Sequence, residues 1–253
     1  MAFDPLAPLR ADPGAGAILL DVDGTLAPIA PHPDLSAVPA ATRAVLAALV
    51  ARYALVACVS GRAAPDAARL VGVEGVAIVG NHGLELLEGG AVRWAEGVEA
   101  WLPAVRRAAD ALGPLALAVG GWVEDKGATL TVHVREAPDP DAARAALEEG
   151  AVPVIAAQGL GWRWGRMALE ARPPLDIDKG TAVRDLLAAH PAVGCSLYAG
   201  DDLTDLDALR AVDVGVAVRS DETPPEVLGA AALVVEGPAA LADLLAGLAV
   251  DSA

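Results

Sequence analysis

The chain has 253 residues, of which 55% are hydrophobic and only 3% aromatic, and it carries 18 basic against 34 acidic side chains, a net charge of −16. A mean hydropathy of +0.45 and a pI near 4.5 exclude a disordered chain. The negative surface argues against nucleic acid and anionic membranes, and the length suits one core domain with an insert.

In chain order, residues 17–22 are a short apolar run expected to form a buried strand. A Pro-rich loop at 27–39 follows, then a helix at 40–51 with its stripe on Val45, Leu46, Leu49 and Val50. Residues 54–59 read as a second buried strand stopped by Ser60-Gly61. A helix at 64–71, a strand at 76–79 and a hairpin over 84–94, turning at Gly89-Gly90, come next. Between 98 and 172 the texture changes: a helix at 98–112, strands near 115–123 and 127–135, a helix at 140–149, and strands near 152–157, 161–165 and 167–171. Within 127–135, Leu130, Val132 and Val134 alternate with Thr129, Thr131, His133 and Arg135, the pattern of an antiparallel strand with one wet face. From about 175 the buried pattern returns, with helices at 180–189, 203–210 and 238–249 and strands at 195–199, 213–218 and 232–235. The expected class is α/β: a doubly wound parallel-sheet core over 1–97 and 173–253, interrupted by an α/β module at 98–172 with a mostly antiparallel sheet.

No apolar run approaches the ~18–20 residues of a membrane span, and Ala17–Leu20 is too short for the apolar stretch of a leader, so a cytoplasmic location is expected, with no membrane or nucleic-acid partner. Cys58 and Cys195 read as reduced core residues. A monomer is expected, with a dimer as the alternative.

In open parallel sheets the functional site lies beyond the carboxyl ends of the strands. The first strand ends in Asp21-Val22-Asp23-Gly24-Thr25, the second in Ser60-Gly61-Arg62 and the next in Asn81-His82-Gly83. Asp178-Lys179-Gly180 opens a helix, and the strand at 195–199 runs into Gly200-Asp201-Asp202-Leu203-Thr204-Asp205. Any one of these stretches could be an ordinary turn; the ordered set points to one rim. Asp21, Asp23 and Asp201 make a hard-oxygen set that suits Mg2+. Lys179, the Ser60 hydroxyl and backbone N–H groups of the Asp21–Thr25 loop would take phosphate oxygens. Of the 18 basic residues only Lys126 and Lys179 are lysines, each in an Asp-Lys-Gly tripeptide, which marks two points where a compact ammonium is wanted. There is no Walker loop, EF-hand or nucleophile elbow.

Asp21-Val-Asp-Gly-Thr25, Ser60, Lys179 and Gly200-Asp201-Asp202-x-x-Asp205 resemble the four motifs of the haloacid dehalogenase (HAD) superfamily of phosphotransferases. Further stretches are similar to trehalose-6-phosphate phosphatases: Leu20–Ile29, Gly80-Asn-His-Gly-Leu-Glu85, Val123-Glu-Asp-Lys-Gly127, Leu169-Glu-Ala-Arg-Pro173 and Tyr198–Asp205. The resemblance implies that Asp21 is the nucleophile and Asp23 the acid and base. The implied metal residues are Asp21, Asp23 (through its carbonyl), Asp201 and Asp205. It implies phosphate binding by Val22, Asp23, Thr25, Ser60, Gly61 and Lys179. Residues 98–172 would be a cap that reads a sugar phosphate with Glu124, Lys126, Glu170 and Arg172, assisted by Arg62, Asn81 and His82. His133 and Arg135 are expected on a plain surface face, and the tryptophans in packing. Leu206 departs from the Glu usual in the last motif. Other sugar phosphates, such as sucrose phosphate or mannosylglycerate phosphate, remain alternatives, as does a sugar-phosphate sensor without turnover.

Overall fold

The computed structural model describes residues 4–30, 32–165 and 167–250. The chain divides into two compact units, Met1–Arg93 with Ile177–Ala253, and Trp94–Asp176.

The first unit opens with a short helix α1 (Ala7–Ala11), absent from the sequence reading, and strand β1 (Gly16–Leu20). Helix α2 (Ala40–Val50), strand β2 (Leu55–Val59), helix α3 (Ala64–Val71) and strand β3 (Ala77–Gly80) follow, then β4 (Glu85–Glu88) and β5 (Ala91–Trp94). The expected loop at 27–39 holds one 3-10 turn, Pro33–Leu35. The second unit contributes α4 (Leu102–Ala118), β6 (Trp122–Asp125), β7 (Leu130–His133), α5 (Pro140–Ala157), β8 (Gly161–Gly165) and β9 (Ala168–Arg172). The chain then completes the first unit with α6 (Lys179–Ala189), β10 (Cys195–Gly200), α7 (Leu206–Arg210), β11 (Val214–Arg219), α8 (Pro225–Ala230), β12 (Leu233–Glu236) and α9 (Gly237–Ala249).

Eight strands form the main sheet in the order β12-β11-β10-β1-β2-β3-β4-β5. The ladders from β12 through β3 are parallel, and β3 pairs with β4 antiparallel. Strand β1 is buried along its whole length, as a central strand covered on both faces requires. Its side chains alternate: Ile18 and Leu20 join Leu46 and Leu49 of α2, Ala67 and Val71 of α3 and Leu241, Leu245 and Leu248 of α9. Ala17 and Leu19 join Val183 and Leu186 of α6, Leu209 of α7 and Val227 of α8. Each fully buried Leu contributes about 1.5–3 kcal/mol, so a core almost without aromatics is held by many modest increments. The strand order reverses at β1, where β2 and β3 lie to one side and β10, β11 and β12 to the other. That reversal opens the crevice in which a doubly wound sheet binds ligands.

The second unit packs α4 and α5 against a sheet of order β6-β7-β9-β8, all of it antiparallel. Val105, Leu112, Leu147 and Ile155 of the helices meet Leu130, Val132, Leu169 and Ala171 of the strands. Two expectations are corrected here. The strand expected at 115–123 begins only at Trp122, because α4 continues through Pro114 to Ala118. The strand expected at 152–157 is the last part of α5, which continues through Pro153. Ala116 and Ile155 keep the helical stripe turned toward the sheet, and that burial outweighs the hydrogen bond each proline removes. Both cysteines are free thiols. Among the described residues no helix is long and apolar enough to cross a membrane.

Candidate active site

Four segments of the first unit meet at the β1/β10 reversal. Asp21 follows β1 and ties it to β10, its N–H donating to Ala199 O at 2.9 Å. Lys179 is the first residue of α6, whose N-terminus is fixed by a capping box between Asp178 and Thr181. The Lys179 ammonium donates to Asp21 Oδ1 at 2.6 Å and to Asp205 Oδ1 at 2.7 Å. Asp205 Oδ1 also accepts from Tyr198 Oη at 2.7 Å, and Asp205 Oδ2 accepts from the N–H groups of Asp201 and Asp202 at 3.1 and 3.0 Å. A carboxylate has about four acceptor positions, so Asp205 is committed to holding Lys179 and shaping the turn that presents Asp201. Asp21, Asp201, Asp205, Lys179 and Tyr198 are all buried.

Carboxylate oxygens of Asp21, Asp201 and Asp205 lie within 4.8 Å of one another. Burial pushes the Asp21 carboxyl up, and the neighbouring Asp205 and Asp201 charges add to this against the pull of Lys179. Burial opposes ionisation of Asp205 as well, but Lys179, Tyr198 and the Asp202 N–H hold it below the ordinary range. Burial disfavours the Lys179 ammonium, yet its two carboxylates overcome that and hold it charged, well above its usual value. Three buried carboxylates around one ammonium leave an excess of negative charge, and every donor is a hard oxygen. The set fits a divalent cation of the Mg2+ type.

The segment after β1 folds back on itself. Val22 O accepts the N–H groups of Leu26 and Ala27 at 2.9 and 2.8 Å, and Gly24 N–H donates to Ala27 O at 2.8 Å. The N–H groups of Val22 and Asp23, just after the strand, donate to no acceptor among the described residues. Gly24 sits at φ +88°, and a Cβ there would collide with the Asp201 carboxylate. Thr25, expected to offer its backbone N–H to phosphate, is fully buried; that N–H donates to Val22 O at 3.4 Å and its hydroxyl to Asp201 Oδ1 at 3.3 Å.

Asp23 stands apart from the carboxylate trio. Arg62 Nε donates to its Oδ2 at 2.6 Å, Arg62 Nη2 to its Oδ1 at 2.7 Å, and Ser36 Oγ to its Oδ1 at 3.0 Å. Arg62, expected to contact substrate, is thus engaged in a bidentate fork with the expected acid and base. Ser60 is buried and accepts the Arg62 N–H at 3.1 Å. Asn81, expected to assist at the sugar, is fully buried and donates its amide Nδ2 to Glu85 Oε1 at 3.0 Å. His82 rests its ring against Gly61. Leu206 begins α7 and packs among the apolar residues around α6 and α7.

In the second unit, one face of the sheet packs on the helices and the other is polar. Across that polar face Glu124, Thr131, Glu170 and Arg163 lie side by side on four successive strands. Arg163 Nε donates to Glu170 Oε2 at 2.5 Å, Lys126 Nζ lies 3.7 Å from Glu124 Oε2, and His133 Nε2 is 2.8 Å from the same Glu124 oxygen. His133 also stacks on Trp122, ring centroids 4.1 Å apart. Arg172 shares this face at the Gly161 register. The sequence singled out Glu124, Lys126, Glu170 and Arg172 for the sugar and set His133 on a plain surface face; the structure places Thr131, His133 and Arg163 beside Glu124 and Glu170. The period-2 pattern marked the face as polar, while the cross-strand neighbours that select these three were not visible in it. Tyr198 was missed for a similar reason, since an apolar strand conceals one hydroxyl.

The trehalose-phosphatase family model matches residues 19–224. The chain belongs to the trehalose-phosphatase family. It is 35% identical over 248 residues to the trehalose-phosphate phosphatase of Mycobacterium marinum, covering 92% of this chain and 61% of that one. It therefore spans about three-fifths of that relative's length. A solved structure of a trehalose-6-phosphate phosphatase related protein superimposes with a TM-score of 0.78 at 23% identity, covering 92% of this chain and 96% of the other. A haloacid dehalogenase-like hydrolase from Bacteroides thetaiotaomicron matches with a TM-score of 0.61 at 17% identity, covering 91% and 98%. These two likenesses show the fold expected from the sequence: an α/β core with a mainly parallel sheet and a separate antiparallel sheet.

Proposed function

We propose that the protein is a phosphatase that hydrolyses trehalose 6-phosphate to trehalose and phosphate, with Mg2+ and through an aspartyl-phosphate on Asp21. One observation carries the reading: a single buried ammonium, Lys179, bridges Asp21 and Asp205 beside Asp201 at the reversal of the sheet. The family match and the activity by which the mycobacterial relative is known support the substrate.

Phosphate monoester hydrolysis is among the slowest uncatalysed reactions, because an anion must attack an anion. A covalent route divides that barrier. An Asp21 carboxylate oxygen attacks phosphorus, the bond from phosphorus to the sugar oxygen breaks, and the leaving oxygen takes a proton from Asp23. Water then attacks the phosphorus of the aspartyl-phosphate, its proton passes to Asp23, and phosphate leaves as Asp21 is restored. The Lys179 ammonium and the Val22 and Asp23 N–H groups supply positive potential where charge gathers on the phosphoryl oxygens. Mg2+, held by Asp21, Asp201 and the Asp23 carbonyl and supported by Asp205, would add Lewis-acid polarisation of the same oxygens. With Arg62 on both of its oxygens and Ser36 on one, Asp23 keeps about one acceptor position for the exchanged proton, and Arg62 orients it for the leaving-group step.

Sugar recognition by Glu124, Lys126, Glu170 and Arg172 is part of this proposal: trehalose offers mainly hydroxyls, which charged donors and acceptors bind well. The test is phosphate release from trehalose 6-phosphate, sucrose phosphate and mannosylglycerate phosphate, each with Mg2+ and with a chelator. Trehalose 6-phosphate is expected to lead the panel, and the chelator to abolish turnover. Preference for another member of the panel would displace the substrate, and full turnover in the chelator would displace the mechanism.

A further inference from the structure

Glu85 is a buried carboxylate that the mechanism above leaves unused. It is 2% exposed, opens β4 and pairs with Gly80 at the end of β3. Its Oε1 accepts two donors from different segments: the Ala64 N–H, in a very close contact, and Asn81 Nδ2 at 3.0 Å. Ala64 begins α3, whose N-cap residue, Ala63, provides no side-chain cap. Glu85 supplies that missing acceptor from another strand, with its negative charge at the helix N-terminus.

The two groups gathered on Oε1 flank Arg62. Ala64 lies two residues beyond it, and the Asn81 N–H donates to Arg62 O at 2.7 Å. The neighbouring His82 N–H donates to Ser60 O at 2.9 Å, and Arg62 N–H to Ser60 Oγ at 3.1 Å. Residues 60–64 therefore hang from residues 80–85 by two backbone links, at Arg62 O and Ser60 O, and by the Ala64 N–H on Glu85 Oε1, the oxygen that also holds the Asn81 side chain. Asn81 and His82 hold φ values of +47° and +56°, a conformation non-glycine residues keep only where their surroundings impose it. Gly80 lets the segments approach, since a Cβ there would collide with the Ala64 nitrogen and stand 2.5 Å from Glu85 Oε1. Held this way, Arg62 aims its guanidinium at both oxygens of Asp23.

We infer that Glu85 is a positioning residue: by fixing Ala64 and Asn81 on one oxygen it sets the direction of the Arg62 fork on Asp23, and through it the group that protonates the leaving sugar. The inference rests on the phosphatase reading for its kinetic consequence but not for its geometry, and the two are tested apart. The first measurement is water exchange of the Arg62 Nε–H by NMR, the signal being assigned by its loss in Arg62→Lys. Glu85→Ala is expected to speed that exchange at least about tenfold. Glu85→Gln, which keeps the Oε1 acceptor, is expected to leave it within about threefold. If Glu85→Ala does not fold, Glu85→Asp serves instead; it keeps the charge but is too short to hold Ala64 and Asn81 together, and the same acceleration is expected. The second measurement is kinetic. Glu85→Ala should lower kcat on trehalose 6-phosphate about 10- to 100-fold with KM little changed, Glu85→Gln should recover most of it, and Glu85→Ala should cost nothing further in an Arg62→Ala background. Unchanged exchange in both Glu85→Ala and Glu85→Asp, or losses that add in the double variant, overturns the inference. A wild-type chain that is inert on trehalose 6-phosphate speaks against the phosphatase reading alone, and the exchange measurement then decides the role of Glu85.

Discussion

Lys179 and Asp21 are 158 residues apart in the chain and 2.6 Å apart in the fold. Everything proposed for the site depends on that contact, because it joins the residue after β1 to the first turn of α6 and, through Asp205, to the end of β10.

Removing the ammonium leaves three buried carboxylates without it. Breaking a buried ion pair from one side costs about 3–5 kcal/mol, and in a domain of this size each kcal/mol moves Tm by about 2–4 °C. Lys179→Met should therefore unfold on the order of 10 °C below wild type in metal-free buffer, and excess Mg2+ should restore part of the loss. Calorimetry showing an unchanged Tm would remove the electrostatic account of the site.

Asp21→Asn tests the nucleophile. The amide is close in shape, and Lys179 retains Asp205, so cooperative unfolding should persist. Phosphate release should fall by roughly 10⁴-fold or more, the scale seen when a nucleophile is lost. Turnover near that of wild type would show that attack begins elsewhere.

Gly24 combines φ +88° with contact against the Asp201 carboxylate. Gly24→Ala should cost about 1–3 kcal/mol in backbone strain and displace Asp201, weakening Mg2+ binding at least about tenfold by titration calorimetry. Equal affinity in the variant would mean that Asp201 does not depend on this close approach.

Burial, the largest influence, raises the Glu85 carboxyl above its ordinary 4.5, while Ala64 and Asn81 pull it part of the way back. An acid with a raised folded pKa binds its proton more tightly in the native state. Its contribution to stability is therefore greatest below about pH 4.5 and declines as pH climbs through the raised value. Glu85→Gln removes that dependence, so denaturant titrations at pH 4 and pH 7 should show the variant gaining on wild type at the higher pH. A difference that stays flat, or runs the other way, would contradict the direction.

Cys58 is fully buried and its thiol is pushed far up by burial, with the Asp21 charge adding to this. A thiolate is the reactive species, so a thiol reagent should modify Cys58 only as the protein unfolds. Labelling of the native protein within minutes would show that this strand opens.

The core and the carboxylate site were legible because apolar runs are punctuated by polar residues at their ends, as after Leu20 and after Ala199. The limits of that reading appear at Leu112–Val119 and 152–157, where an apolar stretch without alternation is compatible with either helix or strand. Only packing against β7 and β9 decides for helix. Glu85 and Tyr198 lay within recognisable motifs, yet their tasks depend on partners that no local pattern encodes. Glu85 meets Ala64 from 21 residues away, and Tyr198 needs the 3-10 turn at Leu203–Asp205 to fold back beneath it. The Arg62 fork on Asp23 was hidden for the same reason, because Asp-Gly and Ser-Gly-Arg are each complete as turns.

Strand β1 takes β2 on one side and β10 on the other. A nascent chain leaving the ribosome can close the first of these seams early, but the second must wait until the whole Trp94–Asp176 unit and α6 have been made. For that interval a strand that ends up buried along its whole length has one open border, the kind of edge that recruits foreign strands, while the intervening unit already owns a sheet and interior with which to fold. Yield in cells should accordingly be governed by chaperone supply and synthesis speed between Trp94 and Cys195 more than by the stability of the finished protein.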